Sequence, residues 1–232
     1  EIGSGLVGSE MCIRDRQYAY DADLEKYFLG LPGQSAMDKA NFYTDTRVKL
    51  MASQTADSFI NDIYVITMPG NNCLTTRTLD KKDGFYKDLL AEIQEMSSDS
   101  NTIKKWISHH DTIDETYGVN SNSYFLSFAA QSSQKMGYVV VDVSSSAVRD
   151  LLSGMDLGDG SIIGFVTDDG KEIACTRDEE DKAVFFDEAV FTGQDFYAQS
   201  AGSEELSGNL EIKYNDKQYL YIYSRSEETG VM

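Results

Sequence analysis

The chain has very little proline, cysteine, histidine or tryptophan: 2, 3, 2 and 1 residues in 232. Each shortage excludes something. Three cysteines (Cys12, Cys73 and Cys175) cannot make a disulfide framework, and their separations match no metal-ligand spacing. With only His109 and His110 available, a Ser-His-Asp arrangement has almost nothing to draw on. Nucleophile elbow, phosphate-cradling glycine loop and zinc-protease helix are all missing, so the sequence predicts a protein that is not an enzyme and has no cofactor. Positive charge is also scarce, with 20 Lys+Arg against 39 Asp+Glu and a net charge of −19. A surface of that sign repels phosphate backbones, which argues against a nucleic-acid partner. No run approaches the roughly 18 apolar residues that cross a bilayer.

What is present suits a packed domain. Hydrophobic residues are 41% of the chain, enough for a core, and 18 glycines against 2 prolines predict turns built on glycine. Residues 1–16, EIGSGLVGSEMCIRDR, show neither helical stripe nor strand alternation. The string GLVGSEMCIRD resembles a translated sequencing adapter, and this leader is read as non-native or disordered.

The remainder reads as a duplication with a period near 100 residues. INDIYVITMPGNNCLTT at 60–76 and SIIGFVTDDGKEIACT at 161–176 each join an Ile/Val-rich run to a shorter run through a glycine-containing turn, the pattern of a β-hairpin. An acidic loop follows each copy, Asp80–Asp83 and Asp178–Asp181, and then a Phe-Tyr pair opens a helix in GFYKDLLAEI and GQDFYAQSA. Each copy next offers an antiparallel pair: residues 124–143, turning at Ser132–Lys135, and residues 210–232, turning at Asn215-Asp216. Aligning Tyr219 with Tyr124 brings Gly230 to Gly137; the strand Tyr138–Val143 then has no counterpart, so the second module is expected to lack its last strand.

Two helices frame these modules. Residues 38–60 place Val48, Met51, Ala52, Thr55 and Phe59 on one expected buried face. SSSAVRDLLSGM offers serines for an N-cap, with Val148, Leu151, Leu152 and Met155 on one side. The expected fold is therefore α+β: a helical region at 17–59, a module at 60–143, a connecting helix at 144–158 and a second module at 159–232.

This order of parts resembles the double-Cache family, the paired PAS-like modules with antiparallel sheets, preceded by a long N-terminal helix, that serve bacterial chemoreceptors as sensors. The residues that carry the resemblance are GYVVVDVSSSAVRDLL at 137–152, GSIIGFVTDDGKEI at 160–173 and the tail YLYIYSRSEETGVM. It implies an extracytoplasmic domain of a methyl-accepting chemotaxis protein, anchored in the cell membrane by flanking transmembrane helices outside this fragment. It also implies a homodimer in the full receptor, and a small polar, amine-bearing ligand held in the membrane-distal module, 60–143. The same sensor on a histidine kinase or diguanylate cyclase is the nearest alternative. A secreted adhesion protein or carbohydrate-active enzyme lies outside the class.

Amino-acid-binding members of that family use an Arg-x-Trp-Tyr stretch, further tyrosines and a late aspartate that holds the ligand amine. Here Trp106 matches the tryptophan and Asp142 the aspartate, while Lys104 replaces the arginine and Ile107 the tyrosine. Lysine offers a carboxylate a point charge, not the two-pronged grip of arginine. The resemblance thus implies a ligand site of Lys104, Trp106, His110, Tyr117 and Asp142. From the residues alone, Trp106 is either a pocket wall or core, and Asp142 lies either at a strand end or in a pocket. Alternation puts Tyr138, Val140 and Asp142 on one face and Val139, Val141 and Val143 on the other. The valine face is expected to meet the core and the opposite face a polar cavity walled by Trp106. His109, His110, Asp111, Asp114 and Glu115 read as a polar helix start, not a metal site. The runs 156–160 and 177–182 lack the alternating ligands of a calcium loop and read as solvated turns.

Overall fold

The computed structural model describes residues 22–68, 72–77, 87–89, 91–92, 104–132, 135–155, 158 and 160–232. The leader, the acidic loop at 80–83 and the Phe-Tyr pair at 85–86 lie outside them, as do parts of the turn at 132–135 and of the run at 156–160. The chain is α+β with antiparallel sheets, and it divides into two compact units between Ala147 and Val148.

In the first unit, helix α1 (Ala22–Phe28) precedes α2 (Ala36–Ala56), 21 residues long. Ser35 caps α2: its Oγ accepts from the Asp38 N–H at 3.2 Å and donates to the Asp38 carboxylate at 2.6 Å. The buried stripe is not the expected one. Val48 and Met51 are exposed, whereas Thr46 and Leu50 are buried, with Phe42 and Tyr43 packed beside them. Both stripes have helical spacing; the one carrying the larger rings and Leu50 covers more apolar area and wins.

The sheet comprises β1 (Ile60–Thr67), β2 (Asn72–Thr75), β3 (Lys104–Ile107), β4 (Tyr124–Gln131) and β5 (Gly137–Ser144), in the order β2-β1-β5-β4-β3 with every pair antiparallel. Both of its faces are covered. On one, Leu24, Tyr27, Phe28 and Leu50 pack over Ile63, Val65, Val139 and Val141. On the other, Tyr138, Val140, Tyr64 and Ile66 pack with Ile107, Ile113 and Tyr124. The face expected to line a polar cavity is thus largely hydrophobic core, and only its Asp142 end is polar. Helix α3 (Asp111–Tyr117) closes that end, with Ile113 fully buried and Gly118 at φ 60° turning the chain away.

The division between units falls inside α4 (Ser145–Ser153), whose Val148 and Leu152 are buried. The second unit has a three-stranded sheet, β6 (Ile162–Val166), β7 (Glu172–Arg177) and β8 (Ala183–Phe185), in that order. Helix α5 (Asp195–Ala201) leads into the hairpin β9 (Ser207–Tyr214) and β10 (Lys217–Ser224). Asn215 and Asp216, both at positive φ (47° and 61°), make its two-residue turn, as that dipeptide predicts. The Glu172 carboxylate accepts the N–H groups of Val190, Phe191 and Thr192 at 2.7 to 3.2 Å and fastens that loop to β7.

Candidate functional site

The polar end of the first sheet is assembled from three elements. Cross-strand pairing sets Ser127 of β4 opposite Asp142 of β5 and Ile107 of β3 opposite Ser127, so these three side chains share a face. A register shift in β1 between Ile60 and Ile63 adds an extra residue there. This bulge leaves Ile60, Ile63 and Val65 on the helix-covered face and turns Asp62 and Tyr64 to the side of Asp142. Helix α3 contributes Asp114, one turn after its N-cap residue His110.

At the centre is His110, fully buried. Its Nε2 lies 2.7 Å from Asp142 Oδ1, an oxygen that also accepts the Ser127 hydroxyl at 2.8 Å. Its Nδ1 lies 3.0 Å from Asp114 Oδ1, at ion-pair distance but not aligned as a hydrogen bond. The second Asp114 oxygen accepts the Tyr124 hydroxyl at 2.8 Å. The Tyr124 ring stacks on the imidazole, centroids 4.4 Å apart and planes 20° apart, and Tyr64 meets it edge-on at 5.9 Å. The residues beside it form a second ion pair, Arg77 Nε to Asp62 Oδ2 at 2.7 Å.

These contacts fix the charge state. Burial pulls the His110 pKa down, but Asp142 and Asp114 outweigh it and push the imidazole up to about 10. His110 is an imidazolium at neutral pH. Burial raises the Asp62 carboxyl above the usual range, and Asp142 adds to the rise while Arg77 opposes it. Burial first, then Asp142 and Asp62, raise the Tyr64 phenol so that it stays protonated. Three carboxyl groups therefore face two cationic groups. Besides His110 Nδ1 and Asp114 Oδ1, which face each other at 3.0 Å, Asp142 Oδ2 and the Tyr64 hydroxyl are buried in this cluster without a hydrogen-bond partner among the described residues.

The five residues that the resemblance implies do not all meet here. Asp142 and His110 are in contact, and Tyr117 joins them through Tyr64, ring centroids 5.6 Å apart. Trp106 stands on the other face: it pairs with Phe128, which pairs with Val141, and its ring packs on Phe128 at 5.2 Å. The cavity wall expected from Trp106 is thus not on the side of Asp142, because one step along β3 from Ile107 reverses the side-chain direction. Lys104 pairs with Ala130 through the backbone, and its side chain lies outside the described residues. Asp62, Tyr64, Tyr124 and Ser127 were not singled out from the sequence. Ser127, a lone hydroxyl within the apolar run of β4, carried a signal; the bulge that aims Asp62 had none.

Among the described residues, no group of three or more His, Cys, Asp or Glu is arranged to hold a metal ion. No helix among them is long and apolar enough to cross a membrane. Neither a protein-family model nor a curated protein sequence matches the chain.

Proposed function

We propose that this chain is the extracytoplasmic sensor of a bacterial membrane receptor of the double-Cache type, a chemoreceptor, and that it binds a small amine-bearing molecule at the Asp142 end of the first sheet. The observation that carries the ligand assignment is the buried cluster of three carboxyl and two cationic groups with Asp142 Oδ2 and the Tyr64 hydroxyl unpartnered. An ammonium group there supplies the missing positive charge and donates to both oxygens, which otherwise lie buried without partners.

The topology supports the sensor reading. In the first unit one antiparallel sheet, with its last strand inserted beside its first, is flanked by helices, an arrangement that supports a PAS-like module. The second unit opens with the same antiparallel hairpin, β6 with β7, as the first does with β1 and β2. On this reading ligand binding biases two packings of the receptor, a dimer, and membrane helices carry the bias to an output domain. The protein acts by binding, without turnover.

Calorimetry and thermal unfolding with a panel of primary amines, amino acids and organic acids test this. The expected result is an amine or amino acid that raises Tm without being consumed, with an affinity at least tenfold weaker in Asp142→Asn. Binding of organic acids only, or an amine whose affinity is the same in Asp142→Asn, overturns the assignment.

A further inference from the structure

The two units treat equivalent strands differently. In the first, β5 lies between β1 and β4, and all eight of its residues are buried. In the second, β6 is an edge strand and β10 is an edge strand, and the two belong to separate sheets. Strands β6, β9 and β10 are correspondingly half-exposed, with Leu220 59% and Ile222 71% accessible.

Alternation shows where the free backbone groups point. The turn at Asn215-Asp216 makes Tyr214 and Lys217 a hydrogen-bonded pair, so Tyr219, Tyr221 and Tyr223 bond to β9 while Gln218, Leu220 and Ile222 turn their N–H and C=O groups outward. On β6, Val166 exchanges both backbone bonds with Met232, at 2.8 and 2.9 Å. Gly164 and Ile162, two and four residues before it, turn their backbone groups to the same side. A cavity reaches from Ile162 of β6 across the face of the hairpin, lined by Ile212 of β9, by Tyr219, Leu220 and Tyr221 of β10, and by Phe191 and Phe196.

We infer that this cleft is a strand-acceptor site whose occupant is an extended polypeptide segment of β-branched apolar residues, antiparallel to both β6 and β10. Three observations choose that occupant over a small molecule. Both walls present ladders of unpaired backbone donors and acceptors, which another backbone satisfies at once. The Met232–Val166 pair already sets the register: an antiparallel strand in that register passes Gly164 and then Ile162, into the cavity. Its two faces meet different apolar groups, the aromatic rings of Phe191, Phe196 and Tyr221 on one side and exposed Leu220 and Ile222 on the other. With the slot filled, β8-β7-β6 and β10-β9 become one sheet in which the added strand occupies the place β5 has in the first unit. This inference concerns the second unit alone and stands apart from the Asp142 site.

The test uses the whole chain and a fluorescent synthetic peptide reproducing residues 137–144 with a lysine at each end, as a generic strand of the required chemistry. Two control peptides carry proline at alternate positions, one set on each edge, which removes the N–H donors facing β6 or β10. Binding is read by anisotropy, and sedimentation is run at the same concentrations. The expected result is saturable binding, at least tenfold weaker for both proline peptides, with slowed amide exchange at Gly164, Leu220 and Ile222. No binding, equal binding of the proline peptides, or a dimer formed through this edge that leaves the peptide unbound overturns the proposal.

Discussion

His110 Nε2 lies 2.7 Å from Asp142 Oδ1, with both side chains sealed from solvent. A buried pair of this kind is costly to break from one side, because the imidazolium loses its hydrogen-bonded counter-ion and keeps only Asp114, which is close but not aligned to accept from it. Asp142→Asn is therefore expected to destabilise the first unit by about 3–5 kcal/mol. The double variant His110→Gln/Asp142→Asn removes both charges of the pair but also the cation facing Asp114, so the coupling is read from the full cycle with His110→Gln alone: the double variant is expected to lose less than the two single losses added together. Urea unfolding followed by the single Trp106 reads this unit. Additive losses in the double variant would show that the pair is not coupled.

The same pair sets a pH dependence. The folded pKa of His110 is about 10, above the ordinary 6.5. A raised histidine pKa stabilises the fold fully below about 6.5, and that contribution is lost as pH climbs through 6.5 to 10. Asp62, also raised, acts in the acid range, where its burial makes the fold lose stability as pH rises past the ordinary carboxyl value. Unfolding midpoints should thus decline between pH 6.5 and pH 10, and His110→Gln should flatten that slope. An unchanged slope in His110→Gln would place the titration elsewhere.

The parts of the fold that could be read from sequence are those set by local chemistry. Asn215-Asp216 announces its turn because those residue types tolerate positive φ, and the β-branched alternation of residues 138–143 announces a strand. Asp142 and His110 were legible as site candidates, although not as partners, since 32 residues separate them. The side that Trp106 takes is not legible for a related reason. Which face of β3 it takes depends on pairing with Phe128, and register is a property of two strands rather than one. The α2 stripe failed because two helical stripes of similar spacing competed, and only the sheet beneath chooses between them.

Gly137 opens β5 at a place where no side chain fits. A Cβ there would land on the Ile66 carbonyl oxygen and within 2.6 Å of the Phe28 ring. The carbonyl belongs to the β1 ladder and cannot retreat, so the β5 end or α1 must shift. Gly137→Ala is expected to cost about 1–3 kcal/mol, the usual range for overpacking. Chemical denaturation checks it; a loss below 0.5 kcal/mol, the scatter of surface substitutions, would mean that the close approach relaxes freely.

Amide exchange should separate the two units strand by strand. Strands β4 and β5 are buried on both faces and flanked by other strands, whereas β9 and β10 are half-exposed and paired only with each other. Protection follows hydrogen bonding and the free energy of local opening, and a two-stranded ribbon opens at lower cost than the centre of a five-stranded sheet. Within β10 the pattern should alternate: Tyr219, Tyr221 and Tyr223 donate to β9 and exchange slowly, while Gln218, Leu220 and Ile222 face the cleft and exchange fast. On β6, the Val166 amide is held by Met232 and should outlast Gly164 and Ile162. Solution exchange followed by residue-resolved NMR measures all of these at once. Uniform protection along β10 would mean that its outer edge is already paired in solution, and the open ladder described for the second unit would then be wrong.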